Sequence, residues 1–198
     1  MARNLARARA GIRGFDAAVE AGFDRIRGRR GADHLFYAAS DLGDFSLVWM
    51  ILGTMRALRS DDDMRAALRL GMGLVADSFL VNGVVKSVFR RSRPPWEVDR
   101  PKRLRRPLTS SFPSGHATSS FASAVLLSEG DPLWPLYWAV AGVVATSRLY
   151  VRIHHASDVV AGAALGAAIG LAVRRVMPLP AHPGRPGVFG GQSPPTVS

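Results

Sequence analysis

The sequence predicts an all-α fold: a polytopic membrane helix bundle of about five transmembrane helices, with an amphipathic helix near the N-terminus. Five apolar segments predict the bundle, at about residues 35–58, 66–89, 116–128, 133–150 and 158–176. No charged residue lies between Pro132 and Ser147, and none lies between Val159 and Val173. Such segments lack the polar face that a helix on the surface of a soluble protein would show.

The Arg-rich start of the chain predicts one short helix. Phe15, Val19, Phe23 and Ile26 follow one another at spacings of four, four and three, which aligns them on one helical face. That face could rest on a membrane surface. It could equally belong to an ordinary surface helix, and the sequence leaves both interpretations open.

The last apolar segment carries a regular strip of glycines. Gly162, Gly166 and Gly170 occupy every fourth position of this segment. In an apolar helix, this spacing gives a smooth surface against which a second helix packs closely. We therefore expect this helix to contact another helix of the bundle along the glycine strip.

Composition divides the chain into three parts. Residues 1–33 are a basic segment that contains the amphipathic helix, and residues 34–177 form the membrane-embedded domain. Residues 178–198 are rich in Pro and Gly, which predicts a disordered tail. Within the domain, residues 90–111 are too rich in Pro and Arg for one regular helix and predict a loop.

The charge of the chain favours a polyanionic partner. Lys and Arg number 26 against 15 Asp and Glu, a net charge of +11, and there is no cysteine. The lack of cysteine excludes disulfides, thiolate zinc sites and cysteine nucleophiles. The basic loop could recruit anionic lipid headgroups or merely keep this side of the protein in the cytoplasm; its cationic residues are Arg90, Arg91, Arg93, Arg100, Lys102, Arg103, Arg105 and Arg106. Trp96 is the only aromatic residue among them, so nucleic acid is not expected as a partner.

Ionisable residues within or beside the apolar segments are candidates for function. Asp77, Lys86, Arg148 and Asp158 hold such positions. Charged groups are costly inside a membrane, so they usually mark a functional site or a paired contact inside the protein. Three of these four residues also belong to a longer pattern.

That pattern has three groups of residues in a fixed order. They are Lys86 with Arg93-Pro94 after six intervening residues, then Pro113-Ser114-Gly115-His116, then Ser147-Arg148 with His154 and Asp158. The pattern resembles the signature of the type 2 phosphatidic acid phosphatase superfamily, which includes vanadium haloperoxidases and bacterial acid phosphatases. The resemblance covers residues 86–158 and shows no departure from the signature.

The residue types in the pattern suit phosphate chemistry. A phosphate monoester carries about two negative charges near neutral pH, and phosphoryl transfer spreads charge over three oxygens, so cations and N–H donors stabilise it. Lys86 supplies a point charge, and Arg93 and Arg148 supply planar guanidinium groups that match phosphate oxygens. We expect these three residues to bind phosphate.

The stretch around His116 predicts the start of a helix that faces an anion. Gly115 lets the backbone approach an oxygen closely, and Ser114 adds a hydroxyl donor. Free N–H groups at a helix start attract negative charge. His116 would then stand beside the phosphate, where it can protonate the leaving oxygen.

His154 and Asp158 form the second half of the expected catalytic machinery. They are four residues apart, so on a helix they would share a face, and Asp158 could hold the imidazole in one tautomer. The family resemblance implies that His154 is the nucleophile, that it forms a phosphohistidine, and that water then releases phosphate. His155 is a rival nucleophile, but the family spacing selects His154. The resemblance implies no metal and no other cofactor.

The expected function is hydrolysis of a lipid-linked phosphate monoester or diphosphate in the membrane. The stretches "SFPSGHATS" and "RIHHASDVVAGAALG" are similar to actinobacterial members, some of which are assigned to decaprenylphosphoryl-ribose 5-phosphate, a precursor of the arabinose donor for the cell wall. Two alternatives remain at this point: a phosphotransferase using the same site, and a non-catalytic membrane protein that binds anionic lipids. The expected partners are the lipid-linked phosphate and membrane lipids, and the oligomeric state stays open.

The order of the segments also predicts the side of the membrane on which the site lies. Successive hairpins bring the three motif groups to one end of the bundle, together with the Arg-rich N-terminus and the basic loop. Lys and Arg accumulate on the cytoplasmic side of membrane proteins. We therefore expect a multi-pass protein of the inner (plasma) membrane with a cytoplasmic active site.

Overall fold

The computed structural model describes residues 1–95, 101–102, 104 and 109–180. Within these ranges the chain forms helices and turns and contains no β-strand, which confirms the all-α prediction. Trp96, Arg100, Arg103, Arg105 and Arg106 of the basic loop lie outside the described residues, and so does the tail from residue 181 onwards.

The helices follow the predicted order. They are α1 (Ala2–Asp24), α2 (Arg30–Gly43), α3 (Leu47–Ala57), α4 (Asp61–Ser78), a π-helical stretch (Phe79–Val85) that ends in one turn, α5 (Lys86–Val88), then α6 (Gly115–Ser128), α7 (Trp134–Tyr150) and α8 (Ala156–Val176). A short 3₁₀ turn, Asp44–Ser46, joins α2 to α3. Each of the five apolar segments is therefore helical, and the N-terminal helix begins well before the predicted Phe15.

Three helical stretches in the described part of the chain are long and apolar enough to cross a membrane: Arg30–Ala57, Asp61–Val88 and Ala156–Val176. With 14 and 17 residues, α6 and α7 are shorter than the roughly 20 residues that a spanning helix needs. The protein is thus a helical membrane protein, whereas the count of about five spans stays a prediction.

The outer surface of α3 and α4 is apolar. Large hydrophobic side chains there are about half exposed or more; they include Met50, Met55, Leu68, Met72 and Val75. An apolar face that no part of the protein covers is what lipid tails would contact. This surface supports the membrane assignment independently of helix length.

The centre of the bundle is α6, which packs against α4, α7 and α8. Its residues from Ala117 to Leu127 are buried apart from Phe121. The glycine strip of α8 lies against it: a Cβ on Gly162 would lie 2.6 Å from the carbonyl oxygen of Ser114, and one on Gly170 would lie 2.8 Å from Val125. The predicted close helix contact is therefore present.

Three arginines from other helices satisfy the C-terminal end of α6. The last carbonyl groups of a helix have no partner within it, and a membrane offers no water to replace one. Here Arg174 donates to the carbonyl of Val125, Arg69 to that of Leu126 at 3.1 Å, and Arg56 to that of Leu127 at 2.5 Å. These cations also stabilise the negative end of the helix dipole.

The apolar face of α1 rests on the protein. Val19 and Phe23 pack against a cluster of buried residues from α6, α7 and α8, and Phe23 and Ile26 pack against Tyr150 and its neighbours. Phe15, at the start of this face, is 46% exposed. Three of the four residues of this face are thus partly buried against the bundle, and the placement of α1 on a membrane surface stays a prediction.

Candidate active site

One cavity of about 1020 Å³ brings most of the predicted site residues together. Its walls include Lys86 after the π-helical stretch, Arg93 from the loop, Gly115 and His116 at the start of α6, Arg148 near the end of α7, and His154 before α8. These residues come from five separate parts of the chain. The bundle therefore gathers the three motif groups at one end, as the sequence predicts.

His154 sits in the turn between α7 and α8 and is 3% exposed. Its Nε2 atom lies 3.1 Å from a guanidinium nitrogen of Arg93, which can only donate. Nε2 therefore accepts from Arg93, so it is the ring nitrogen that carries the electron pair. Nδ1, on the other side of the ring, lies 3.7 Å from Oδ2 of Asp158, a distance that allows electrostatic attraction but is too long for a hydrogen bond.

Burial keeps the His154 ring neutral. It lowers the pKa of His154 to about 3, the charges of Arg93 and Arg148 act in the same direction, and Asp158 opposes them. At neutral pH the imidazole is therefore uncharged, and a neutral imidazole is the form that can attack phosphorus.

Asp158 lies in the first turn of α8 and is fully buried. Its Oδ2 atom accepts hydrogen bonds from the Ser111 hydroxyl at 2.5 Å and from the backbone N–H of His155 at 2.9 Å. His155 is the N-cap residue of α8, and its backbone carbonyl accepts from the backbone N–H of Asp158 at 3.0 Å. The geometry thus gives His155 a helix-capping role and leaves His154 facing the cavity.

Arg91 and Asp16 extend this network to the N-terminal helix. Arg91 lies 2.6 Å from Oδ1 of Asp158 and 2.7 Å from Asp16 of α1. Asp16 also accepts a hydrogen bond from the backbone N–H of Ser157 at 2.8 Å. Helix α1 is therefore fixed to the turn that carries His154 and Asp158, and the Asp158 carboxylate is held on both of its oxygens.

Two further cations, Arg148 and Lys86, line the cavity. Arg148 is 4% exposed, donates to the Ser40 hydroxyl of α2, and has a buried Nε atom without a partner. Lys86 donates to the side chain of Asn82 at 3.0 Å. A Cβ placed on Gly115 would lie 3.4 Å from the ammonium of Lys86, so a glycine at this position leaves room beside the cation.

Ser114 differs from the other predicted phosphate-binding residues. It is fully buried, it is the N-cap residue of α6, and its hydroxyl accepts from the backbone N–H of Ala117 at 3.5 Å. It is not among the described residues that line the cavity. Its hydroxyl thus serves the helix start in this structure, and its contact with phosphate stays a prediction.

The cavity also has an apolar side. Met50 of α3 and Gly71, Leu74 and Val75 of α4 line it together with the cationic residues. The same two helices carry the exposed hydrophobic surface of the bundle. A molecule with an anionic head and an apolar chain matches both parts of this cavity.

Four residues that line the cavity or belong to the network around Asp158 were not singled out from the sequence. They are Asp44, Arg91, Ser111 and Asp16. Asp44 is an ionisable residue inside the first apolar segment, so the reasoning that made Asp77 a candidate for function applies to Asp44 as well. Arg91 was grouped with the basic loop, although it contacts Asp158. No local signal in the sequence distinguishes Ser111 or Asp16, because their partners are distant in the chain.

Comparison with known proteins identifies relatives across most of the chain. The sequence model of the PAP2 superfamily matches residues 66–180. The decaprenylphosphoryl-5-phosphoribose phosphatase of Mycobacterium tuberculosis is 36% identical over 143 residues, which cover 69% of this chain and 76% of the relative. The enzyme of the same name from Mycolicibacterium smegmatis is 36% identical over 158 residues, which cover 76% of this chain and 82% of the relative.

Two solved structures share the fold. One is the transmembrane PAP2 type phosphatidylglycerolphosphate phosphatase from Bacillus subtilis, with a TM-score of 0.61, 21% identity, and coverage of 84% of this chain and 86% of that one. The other is Aquifex aeolicus LpxE, with a TM-score of 0.65, 23% identity, and coverage of 80% of this chain and 94% of that one. At this level of identity, these two structures bear on the fold alone.

Proposed function

This chain belongs to the PAP2 superfamily and is a membrane phosphatase that hydrolyses phosphoric esters; we propose that its substrate is decaprenylphosphoryl-ribose 5-phosphate. The observation that carries the proposal is its 36% identity to two enzymes named for this reaction, over at least three quarters of their lengths. The cavity supports it, because cations and apolar helices line the same space.

The first chemical step of the proposal transfers the phosphoryl group to His154. The electron pair on Nε2 forms the bond to phosphorus while the bond between phosphorus and the ester oxygen breaks. The leaving oxygen keeps that electron pair and takes a proton from His116, so an alcohol departs. Arg93, Arg148 and Lys86 would balance the charge on the three remaining oxygens.

The second step returns the enzyme to its starting state. Water attacks phosphorus, the bond between phosphorus and Nε2 breaks, and the electron pair returns to His154. The neutral His116 takes the proton that water loses, which restores the acid for the next turnover. Asp158 would hold the ring and stabilise its positive charge in the phosphorylated state.

Phosphate release from a lipid panel tests the substrate. Detergent-purified protein would be offered decaprenylphosphoryl-ribose 5-phosphate, phosphatidic acid, phosphatidylglycerol phosphate and polyprenyl mono- and diphosphates. We expect kcat/KM for the pentose phosphate to exceed each of the others by at least about tenfold, because contacts to the pentose add to those with the phosphate.

Equal or faster release from another member of the panel would overturn the substrate assignment and leave the phosphatase activity standing. An added acceptor alcohol gives a further readout. If most of the phosphoryl group appears on that alcohol rather than on water, the enzyme is a phosphotransferase.

We also propose that the site faces the cytoplasm, because Arg93 of the basic loop lines the cavity and its neighbour Arg91 contacts the Arg-rich helix α1. The chain has no cysteine, so a single introduced cysteine reports its own location. In intact cells, a membrane-impermeant maleimide is expected to label Leu58→Cys at the opposite end and to spare Ala21→Cys of α1 until lysis. Both variants should retain phosphatase activity, and the reverse labelling pattern would place the site outside.

A further inference from the structure

Helices α2 and α3 are separated by a break in the regular helix at Phe45 and Ser46. Phe45 and Ser46 have φ angles of 54° and 59°, in the left-handed region that residues with side chains rarely adopt. Such a conformation is strained for a residue with a side chain and persists only where the surrounding structure holds it. Two such residues in succession interrupt a stretch that is otherwise apolar enough to span a membrane.

The break brings the end of α2 against His116. Asp44 is the first residue after α2, and its Oδ1 atom lies 3.0 Å from Nε2 of His116. The geometry of this contact is not that of an aligned hydrogen bond, and it becomes an ion pair when the ring is protonated. Gly43 is equally close: a Cβ there would lie 2.6 Å from Cδ2 of the same ring.

Two residues at the C-terminal end of α2 therefore contact two residues of the site. Ser40 accepts a hydrogen bond from Arg148, and Asp44, four residues later, contacts His116. Asp41, which also lines the cavity, is instead paired with Lys102 of the basic loop. Asp44 is thus the carboxylate that contacts His116, and the proposed mechanism requires His116 to be protonated.

We propose that Asp44 is a positioning residue that holds His116 in the orientation and protonated state needed to deliver its proton to the leaving oxygen. The proposal rests on the proposed role of His116 as the acid. A carboxylate beside an imidazole stabilises the imidazolium form and restricts rotation of the ring. Burial of the ring and the nearby charge of Arg148 both oppose that form, and the Asp44 carboxylate acts against them.

Leaving groups of different quality test this role. An alkyl phosphate needs its oxygen protonated as it departs, whereas p-nitrophenyl phosphate expels a stabilised anion without that help. General acid catalysis contributes roughly 10²–10⁴-fold. We expect Asp44→Asn to lower kcat/KM, which reports the first chemical step and not the common hydrolysis step, by about 10- to 100-fold on a short-chain alkyl phosphate and by less than about threefold on p-nitrophenyl phosphate.

Asp41→Asn is the matched control, because it removes a second carboxylate from the same cavity wall. It should leave the ratio of the two rates as in the wild type. A loss of rate that is equal on both substrates in Asp44→Asn would assign Asp44 a structural role and overturn the proposal. No loss on either substrate would also overturn it.

The double variant separates this inference from the mechanism on which it depends. His116→Ala alone should already show the leaving-group effect, and adding Asp44→Asn should change the ratio no further, because the two residues act as one unit. If His116→Ala slows both substrates equally, the role of His116 as the acid is wrong. If it slows the alkyl phosphate selectively and Asp44→Asn does not, only the inference about Asp44 is wrong.

Discussion

Replacing His154 with alanine is expected to lower kcat by at least about 10⁴-fold, since removing a nucleophile leaves only the contribution of binding and charge stabilisation. The ring is 3% exposed and lies between Arg93 and Asp158, so no other described side chain replaces its Nε2 atom. The measurement is single-turnover phosphate release by purified protein in detergent.

His155→Ala is the matched control, because it removes the neighbouring imidazole. His155 holds the N-cap position of α8, where alanine is unfavourable and costs no more than about 1 kcal/mol of stability. We therefore expect a modestly less stable protein that retains most of its kcat. If His155→Ala is inactive and His154→Ala is not, the assignment of the nucleophile is reversed.

Trapping the intermediate gives an independent readout of the same prediction. A phosphohistidine is a phosphoramidate, which survives alkali and is lost in acid. Brief reaction with ³²P-labelled substrate followed by an alkaline quench should label the wild type and His155→Ala and leave His154→Ala unlabelled. Label that survives acid and is lost in alkali would indicate an acyl phosphate and would contradict the mechanism.

Replacing Arg56 with alanine is expected to cause the largest loss of stability, about 3–5 kcal/mol, the cost of breaking a buried ion pair by removing one partner. Arg56 is 2% exposed, and its Nε atom lies 2.9 Å from Asp63 and 3.2 Å from Asp131. Its other nitrogens donate to the carbonyls of Leu127 and Glu129. The variant would leave the two buried carboxylates with fewer partners. It would also leave the carbonyls of Leu127 and Glu129, at the end of α6, without the donor that Arg56 supplies.

Arg65→Ala is the control for that measurement. Arg65 also pairs with an aspartate, Asp62 at 3.2 Å, but its side chain is 59% exposed, so its loss should cost no more than about 1 kcal/mol. The free energies of unfolding of the two variants are compared by reversible unfolding in mixed detergent micelles, with helix content measured by circular dichroism. If both variants unfold at the same detergent composition as the wild type, the arginine contacts do not stabilise the bundle.

Much of the site could be predicted from the sequence because its residues lie in short motifs with fixed spacing. Lys86 and Arg93, the stretch Ser114–His116, and the group from Arg148 to Asp158 each span fewer than a dozen residues. Within such a distance, helix geometry and turn formation fix which residues can face one point. The close packing of the α8 glycine strip could be predicted for the same reason, since it depends on a repeat of four residues within one helix.

The contacts that hold those motifs in place could not be read in this way. Asp44 reaches His116 only because α2 ends at Gly43 and the next residues adopt left-handed angles. Asp16 and Arg91 reach the turn beside Asp158 only because α1 packs across α7 and α8. Neither the helix break nor that packing leaves a signal of its own in the sequence.

By itself the sequence determined that the chain is helical and apolar, which motif residues have side chains suited to phosphate, and which superfamily it resembles. Only the tertiary structure decided how the charges around them are balanced: Asp44 beside His116, Arg91 beside Asp158, and three arginines at the end of α6. The reason is one of range. Helix propensity and motif spacing act over one or two turns, whereas a contact between distant residues depends on the register and crossing of whole helices.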